Sequence, residues 1–213
     1  MSTIDWAYKT SQISTITQIF FGGFSIVGFF VVQENFLYIL LVLDTIVQVI
    51  ELVFYIILVY NKRLKTYFRY FDWFFSTPLM LISFVMFLEF LSDNNLTFNQ
   101  FGNMYREETT IIVLLNFVML LSGFVTELEW SSKKRTFPIG FSAFFALFAV
   151  IFSVFAYKTV FGIALSSFTF VVWFLYGIAA LLDEYSKNIM YNILDIFSKN
   201  VYGVVVSGYA LFV

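Results

Sequence analysis

The 213-residue chain has no cysteine and no histidine. The first absence excludes disulfides, thiolate zinc sites and cysteine nucleophiles; the second removes the Ser-His-Asp arrangement. Any proton chemistry falls to Asp, Glu, Lys, Arg and Tyr. Charge is scarce: Asp, Glu, Lys and Arg make up 12% of the residues, against about 25% in ordinary soluble proteins. The net charge of -2 provides no basic surface for nucleic acid. Nothing marks the chain as an enzyme, and no cluster suggests a metal site. What is present is apolar: 61% hydrophobic residues, 23% aromatics and 31 Phe, with a mean hydropathy of +0.87. This is the composition of an integral, multi-pass membrane protein whose first partner is the lipid bilayer.

A helix needs about 20 apolar residues to cross the hydrocarbon core. Seven stretches qualify: 11–33, 36–60, 66–91, 109–130, 137–157, 161–182 and 188–212. The connections "QEN", "NKRLK" and "YKT" are short, which forces antiparallel neighbours. The expected fold is all-α: one seven-transmembrane-helix up-and-down bundle over residues 1–213. Its longest connection, "SDNNLTFNQFGNMYREE", is read as a polar loop. The N-terminal "MSTIDWAYKTSQ" lacks a basic region and a cleavage site, so the first helix reads as an uncleaved signal anchor. Lys9, Lys62, Arg63, Lys65, Lys133, Lys134, Arg135 and Lys187 lie on the N-terminal side, with only Arg106 and Lys158 opposite. Loop charge alone therefore puts the N-terminus in the cytoplasm.

Charges within apolar spans are costly and mark function by default. Span three opens "RYFDWFFSTPLM", placing Arg69 and Asp72 on one face, with Pro78 expected to kink the helix. Span seven holds Asp195 and Lys199 four residues apart, with Asn192 on the same face. Arg69, Asp72, Asp195 and Lys199 sum to zero, and a neutral quartet is tolerable where a lone charge is not. The plain alternative is two ion pairs that only specify packing. Span two carries Asp44, Gln48 and Glu51 as one polar stripe, which could equally be interhelical glue. A buried lysine also suits Schiff-base chemistry.

"RYFDWFFSTPL" resembles the third-helix signature of microbial rhodopsins, with Ser76 for a Thr, and "LDIFSKNVYG" resembles their seventh helix, with Tyr202 for Phe. "WFLYG" resembles the sixth-helix motif, with Gly177 for Pro, and Asn116, Met119 and Gly123 keep the fourth-helix spacing. The resemblance implies all-trans-retinal on Lys199, counterions Asp72 and Asp195, and Arg69 balancing the second. It implies a pocket of Tyr70, Trp73, Ser76, Thr77, Met80, Asn116, Met119, Gly123, Trp173 and Tyr176. It also implies an N-terminus outside, against the loop charges. A pocket retaining both counterions implies a band that moves to longer wavelength in acid.

In the family's proton pumps a carboxylic donor stands eleven residues after the acceptor; here that residue is Ser83. Efficient outward pumping is thus disfavoured, and Asp72 argues against chloride or sodium pumping. Asp44 and Glu51 at seven-residue spacing resemble the acid-rich second helix of channelrhodopsins, and the small, Phe-rich chain is similar to the viral rhodopsins of large DNA viruses. Ser11, Ser14, Thr15 and Gln18 add polar positions to span one, and Asn192 and Asn200 to span seven. The reading is a light-gated channel for monovalent cations or protons, with an ion path through Ser11, Asp44, Gln48, Glu51, Asn192 and Asn200. The alternatives are a proton pump with a weak donor, a sensory rhodopsin and, more remotely, a proton-coupled transporter without retinal. Association into a homo-oligomer stays open.

Overall fold

The structure is a computed structural model and describes residues 3–32, 35–61 and 65–212. Gln33 and Glu34 at the expected end of the first span and its loop, and the basic Lys62 and Arg63, lie outside the described residues.

The helices are α1 (Thr3–Val31), α2 (Asn35–Tyr60), α3 (Arg69–Ser92), α4 (Phe98–Met104), α5 (Arg106–Glu127), α6 (Lys133–Val150), α7 (Val160–Ala179), α8 (Glu184–Asp195) and α9 (Tyr202–Phe212). No strand occurs among the described residues. A π-turn at Ile151–Phe155 and a 3-10 turn at Ala156–Lys158 extend α6, and a π-turn at Ile196–Val201 joins α8 to α9. The seven columns of the bundle are therefore α1, α2, α3, α5, extended α6, α7 and α8–α9. Consecutive columns pack together, and α1 closes the ring against α8 and α9.

Several expected boundaries are corrected. The first helix begins at Thr3 rather than at 11, because the polar residues 3–10 continue the helix beyond its apolar stretch, with Asp5 in the first turn where the helix dipole favours an acid. The long third connection is not plain loop. Thr97 and Gln100 form a capping box that starts α4, and α5 begins at Arg106 instead of 109. The last column starts at Glu184 rather than 188, since the Asp183 carboxylate caps the backbone N–H groups of Tyr185 and Ser186. Nor is that column one regular helix, for the π-turn interrupts it at Lys199.

Five described segments are long and apolar enough to cross a membrane: Asn35–Tyr60, Thr66–Ser92, Arg106–Glu127, Lys133–Lys158 and Val160–Ala179. The outer faces of α2 and α5 expose Val49, Val53 and Ile56, and Leu114, Val118 and Leu121, a surface suited to lipid. Polar side chains point inward instead, where partners from other helices satisfy them. The central column is α3, which buries Arg69, Asp72, Ser76, Ser83 and Glu89 along with Tyr70, Trp73, Phe84, Phe87 and Phe90. An ion pair stands near each end of the bundle. Lys187 Nζ meets Glu127 at 2.6 Å on the Arg69 side. Lys158 Nζ meets Glu89 at 2.5 Å on the other, where it also donates to the Tyr105 hydroxyl at 2.8 Å.

Candidate functional site

Lys199 is 2% exposed, in the middle of the seventh column. Its Nζ donates to Asp72 Oδ2 of α3 at 2.8 Å. A second carboxylate stands on its other flank: Glu51 Oε1 of α2 lies 3.8 Å from Nζ. The lysine sits within the π-turn, where the backbone hydrogen-bond register slips by one residue, a feature that recurs at functional sites.

Asp195, one turn before Lys199, anchors the neighbouring cluster. Its Oδ2 accepts from Tyr55 at 2.6 Å and Arg69 Nη1 at 3.3 Å, and its Oδ1 accepts from Tyr176 at 2.6 Å. Arg69 also donates through Nε to Asn188 Oδ1 at 2.8 Å and through Nη2 to Asn192 Oδ1. The guanidinium faces the rings of Tyr191, Tyr55 and Phe54 at 5.7–5.9 Å, so stacking supplements its hydrogen bonds. Tyr55 and Asn188 escaped the sequence reading. Tyr55 was accessible to it, since it continues the stripe of Asp44, Gln48 and Glu51 by one more turn.

The quartet of Arg69, Asp72, Asp195 and Lys199 is thus a quintet. With Glu51 it sums formally to -1, so the neutrality inferred from four residues does not hold for the assembled site. The second-helix stripe also divides by level. Tyr55 is at Asp195, Glu51 at Lys199, and Gln48 Nε2 donates to the Lys199 carbonyl at 3.3 Å. Asp44 accepts from Ser25 at 2.9 Å. Asn192 is bound to Arg69 through its carbonyl oxygen, and Ala7 and Thr10 take up its amide N–H groups. Ser11 is satisfied within its own helix by the Tyr8 carbonyl. By contrast Asn200, Glu51 and Gln18 are buried, and none of their polar side-chain atoms has a hydrogen-bond partner.

A cavity of about 140 Å³ leads away from Lys199 and Asp195. Tyr70, Trp73, Thr77, Met80, Met119, Gly123, Trp173 and Tyr176 line it, together with Phe141, Gly140 and Gly177. Ser76 and Asn116 do not. Ser76 lies one turn from Asp72 on α3, and Asn116 sits behind Thr77, to whose Oγ1 its amide donates at 2.8 Å. Thr77 in turn donates to the Trp73 carbonyl at 2.8 Å, so Asn116 acts on the cavity wall through a hydrogen-bond relay.

Fold and site together define a heptahelical membrane protein whose centre is a lysine paired with carboxylates, at the end of an aromatic cavity. The chain belongs to the bacteriorhodopsin-like protein family, which matches residues 9–211. These are the microbial rhodopsins, retinal-binding photoreceptors and ion transporters of the membrane rather than enzymes. No curated protein sequence matches the chain. Its fold is similar to that of viral rhodopsin OLPVRII, with a TM-score of 0.87 at 22% identity over 95% of this chain and 96% of that one. The light-driven proton pump rhodopsin of Coccomyxa subellipsoidea has a TM-score of 0.79 at 20% identity, over 95% and 96%. Blue light-absorbing proteorhodopsin from Med12 has 0.77 at 19%, over 97% of each chain.

The cavity suits a long, apolar, conjugated molecule joined to a lysine. Its walls are largely aromatic, Asp195, Ser198 and Lys199 form one polar end, and Gly123, Gly140 and Gly177 leave room along α5, α6 and α7. A Cβ at Gly123 would collide with the Tyr70 hydroxyl and stand 3.0 Å from its ring. Gly123→Ala should therefore push Tyr70 into the cavity and destabilise the protein by about 1–3 kcal/mol, the usual cost of overpacking. Thermal unfolding and the rate at which a visible band forms with added retinal measure both effects. Gly102→Ala, inside α4 where a Cβ meets nothing within 4 Å, should leave band formation unchanged and, by helix propensity, stabilise by up to about 1 kcal/mol.

Proposed function

We propose that the protein is a light-gated cation channel carrying all-trans-retinal on Lys199 Nζ. Bound there, retinal supplies absorption of visible light and a light-driven change in the proton affinity of that nitrogen. Asp72, at 2.8 Å, is placed to accept the proton. Asp195 is held by Arg69, Tyr55 and Tyr176 and acts as the fixed second counterion. Trp73 and Trp173 confine the chain of the chromophore, and Tyr70, Met119 and Gly123 shape its ring end.

The observation that carries the channel reading is the set of orphaned polar atoms beside Lys199. Both carboxyl oxygens of Glu51, both amide atoms of Gln18 and Asn200, and Gln48 Oε1 are buried without a hydrogen-bond partner. Buried polar groups are almost always satisfied, and a polar cleft that the protein leaves unsatisfied takes up water. Supplied by α1, α2 and the seventh column, these oxygens can replace part of a cation's hydration shell. Glu51 is within reach of Lys199, so loss of positive charge at that nitrogen changes the field along the path directly.

Voltage clamp under illumination tests the reading. The expected photocurrent reverses with membrane voltage and follows the gradient of a monovalent cation or of protons. A current that keeps its sign at every voltage would instead mean a pump. A pigment that passes no current would mean a sensor.

A further inference from the structure

The cavity that starts at Lys199 has a second polar end. Along α5 it is lined by Met119, Ser122, Gly123, Thr126 and Glu127, spaced as one helical face. Thr136 joins them from α6, and Tyr70 and Tyr191 from α3 and α8. In the retinal reading Met119 and Gly123 lie at the ring of the chromophore. Glu127, with Thr126 beside it, stands one helical turn past Gly123, about 6 Å further along the axis. Two glycines let the polar groups approach. A Cβ at Gly123 would collide with the Tyr70 hydroxyl, and one at Gly140 with Ser122 Oγ.

These groups have bonding capacity to spare. Tyr70 is 4% exposed and Tyr191 1%. Among the described residues no hydrogen bond engages either hydroxyl, although Glu127 acts electrostatically on both. Ser122 donates its hydrogen to the Met119 carbonyl at 2.7 Å, and Thr126 donates to the Ser122 carbonyl at 2.8 Å. Thr136 gives its own to Thr126 Oγ1 or to the Ser132 carbonyl. Ser122 and Thr136 thus keep lone pairs with which to accept. Glu127 is fixed by Lys187 at 2.6 Å. Buried donors and acceptors are almost always satisfied, and the ring of retinal, being hydrocarbon, cannot satisfy them. A hydroxyl on that ring both donates and accepts, so it matches a phenol on one side and an alcohol oxygen on the other.

We propose that this end of the cavity recognises a hydroxyl group on the ring of the chromophore, so that the protein takes ring-hydroxylated all-trans-retinal in preference to all-trans-retinal itself. Tyr70 donates to the hydroxyl oxygen, and Thr136 or Ser122 accepts its hydrogen. The attachment at Lys199 is unaffected, because the hydroxyl stands at the opposite end of the molecule. All-trans-retinal still fits, with water in place of the hydroxyl. This inference rests on the retinal reading above but not on whether the current is a channel's or a pump's.

Competition between chromophores tests it. The chromophore-free protein is offered an excess of all-trans-retinal mixed equally with all-trans-3-hydroxyretinal, and separately with all-trans-4-hydroxyretinal. Hydroxylamine then releases the bound chromophores from the washed pigment as oximes, which chromatography counts. At least one hydroxylated form should be taken up about tenfold in excess of retinal, the worth of one or two net hydrogen bonds. Thr136→Val keeps the shape of the side chain without its hydroxyl and should bring the ratio towards one, as should Tyr70→Phe. A ratio near one for both hydroxylated forms in the parent overturns the proposal and leaves water as the occupant. A preference that persists undiminished in both variants overturns the assignment to these residues. Should Thr136→Val form no pigment, Ser122→Ala is read in its place, and the parent ratio decides the preference by itself. A parent protein that gives no visible band with any of the three aldehydes would remove the retinal reading itself, and this proposal with it, a distinct result.

Discussion

Lys199→Ala should give no visible band when all-trans-retinal is added, and it should be less stable than the parent by about 3–5 kcal/mol, the cost of removing one partner from a buried ion pair. Both effects have one origin. Among the described residues Nζ is the only amine that lines the cavity, and it is the cation between Asp72 at 2.8 Å and Glu51 at 3.8 Å. Without it, Arg69 alone faces three carboxyl groups and is already committed to Asp195. Asp72 and Glu51 must then be neutralised or stay charged in a dry interior. Absorption spectroscopy reads the first effect and thermal unfolding the second. A parent-like band in Lys199→Ala would put the attachment elsewhere. A stable variant without a band would keep the attachment and remove the structural role. A band absent from the parent as well would favour a transporter that uses the same buried charges without retinal.

Glu51→Gln should form pigment with a band near that of the parent, yet pass roughly tenfold less cation current under light. Two cations and three carboxyls meet at the site. Asp195 has three hydrogen-bond donors and Asp72 has Lys199, whereas Glu51 has none. Glu51 is therefore the carboxyl best suited to hold the proton that brings the cluster to neutrality, and glutamine copies the shape of that neutral acid. What glutamine cannot do is become an anion when the charge on Lys199 changes. A unit charge about 4 Å from a passing cation is worth up to about 4 kcal/mol near a protein surface, and a tenfold loss of current requires only about 1.4 kcal/mol of that. Photocurrent and absorption on the same sample separate the outcomes. A large shift to longer wavelength would make Glu51 a counterion. Loss of pigment altogether would make it part of the packing between α2 and the seventh column.

Much of the site can be read from local sequence. Arg69 and Asp72 share a helical face by spacing alone, as do Asp195 and Lys199, and a shortage of charge elsewhere makes these four conspicuous. The apolar runs delimit most of the columns, because crossing a bilayer demands length and hydropathy that few other roles require. Boundaries set by caps were less visible. Thr97 with Gln100, and Asp183, start helices through hydrogen bonds to a few backbone N–H groups, which leave little trace in hydropathy. The π-turn at Lys199 left none.

Pairings across helices were the part that periodicity could not reach. The stripe of Asp44, Gln48 and Glu51 looks like one feature on a helical wheel, yet each residue meets a different level of the seventh column. Glu51 joins Lys199, Gln48 takes its carbonyl, and Asp44 fills the space that Gly203 leaves beside Tyr202. Asn192, expected along the path, is bound to Arg69, Tyr55 and Thr10. By itself the sequence determined the membrane class, the family resemblance and the lysine with its two aspartates, since each is set by composition or by spacing along one helix. Only the tertiary structure decided that a third carboxyl stands at the lysine and a fourth lies beyond it. Those relations depend on the register between helices, which is set by the packing of faces distant in sequence.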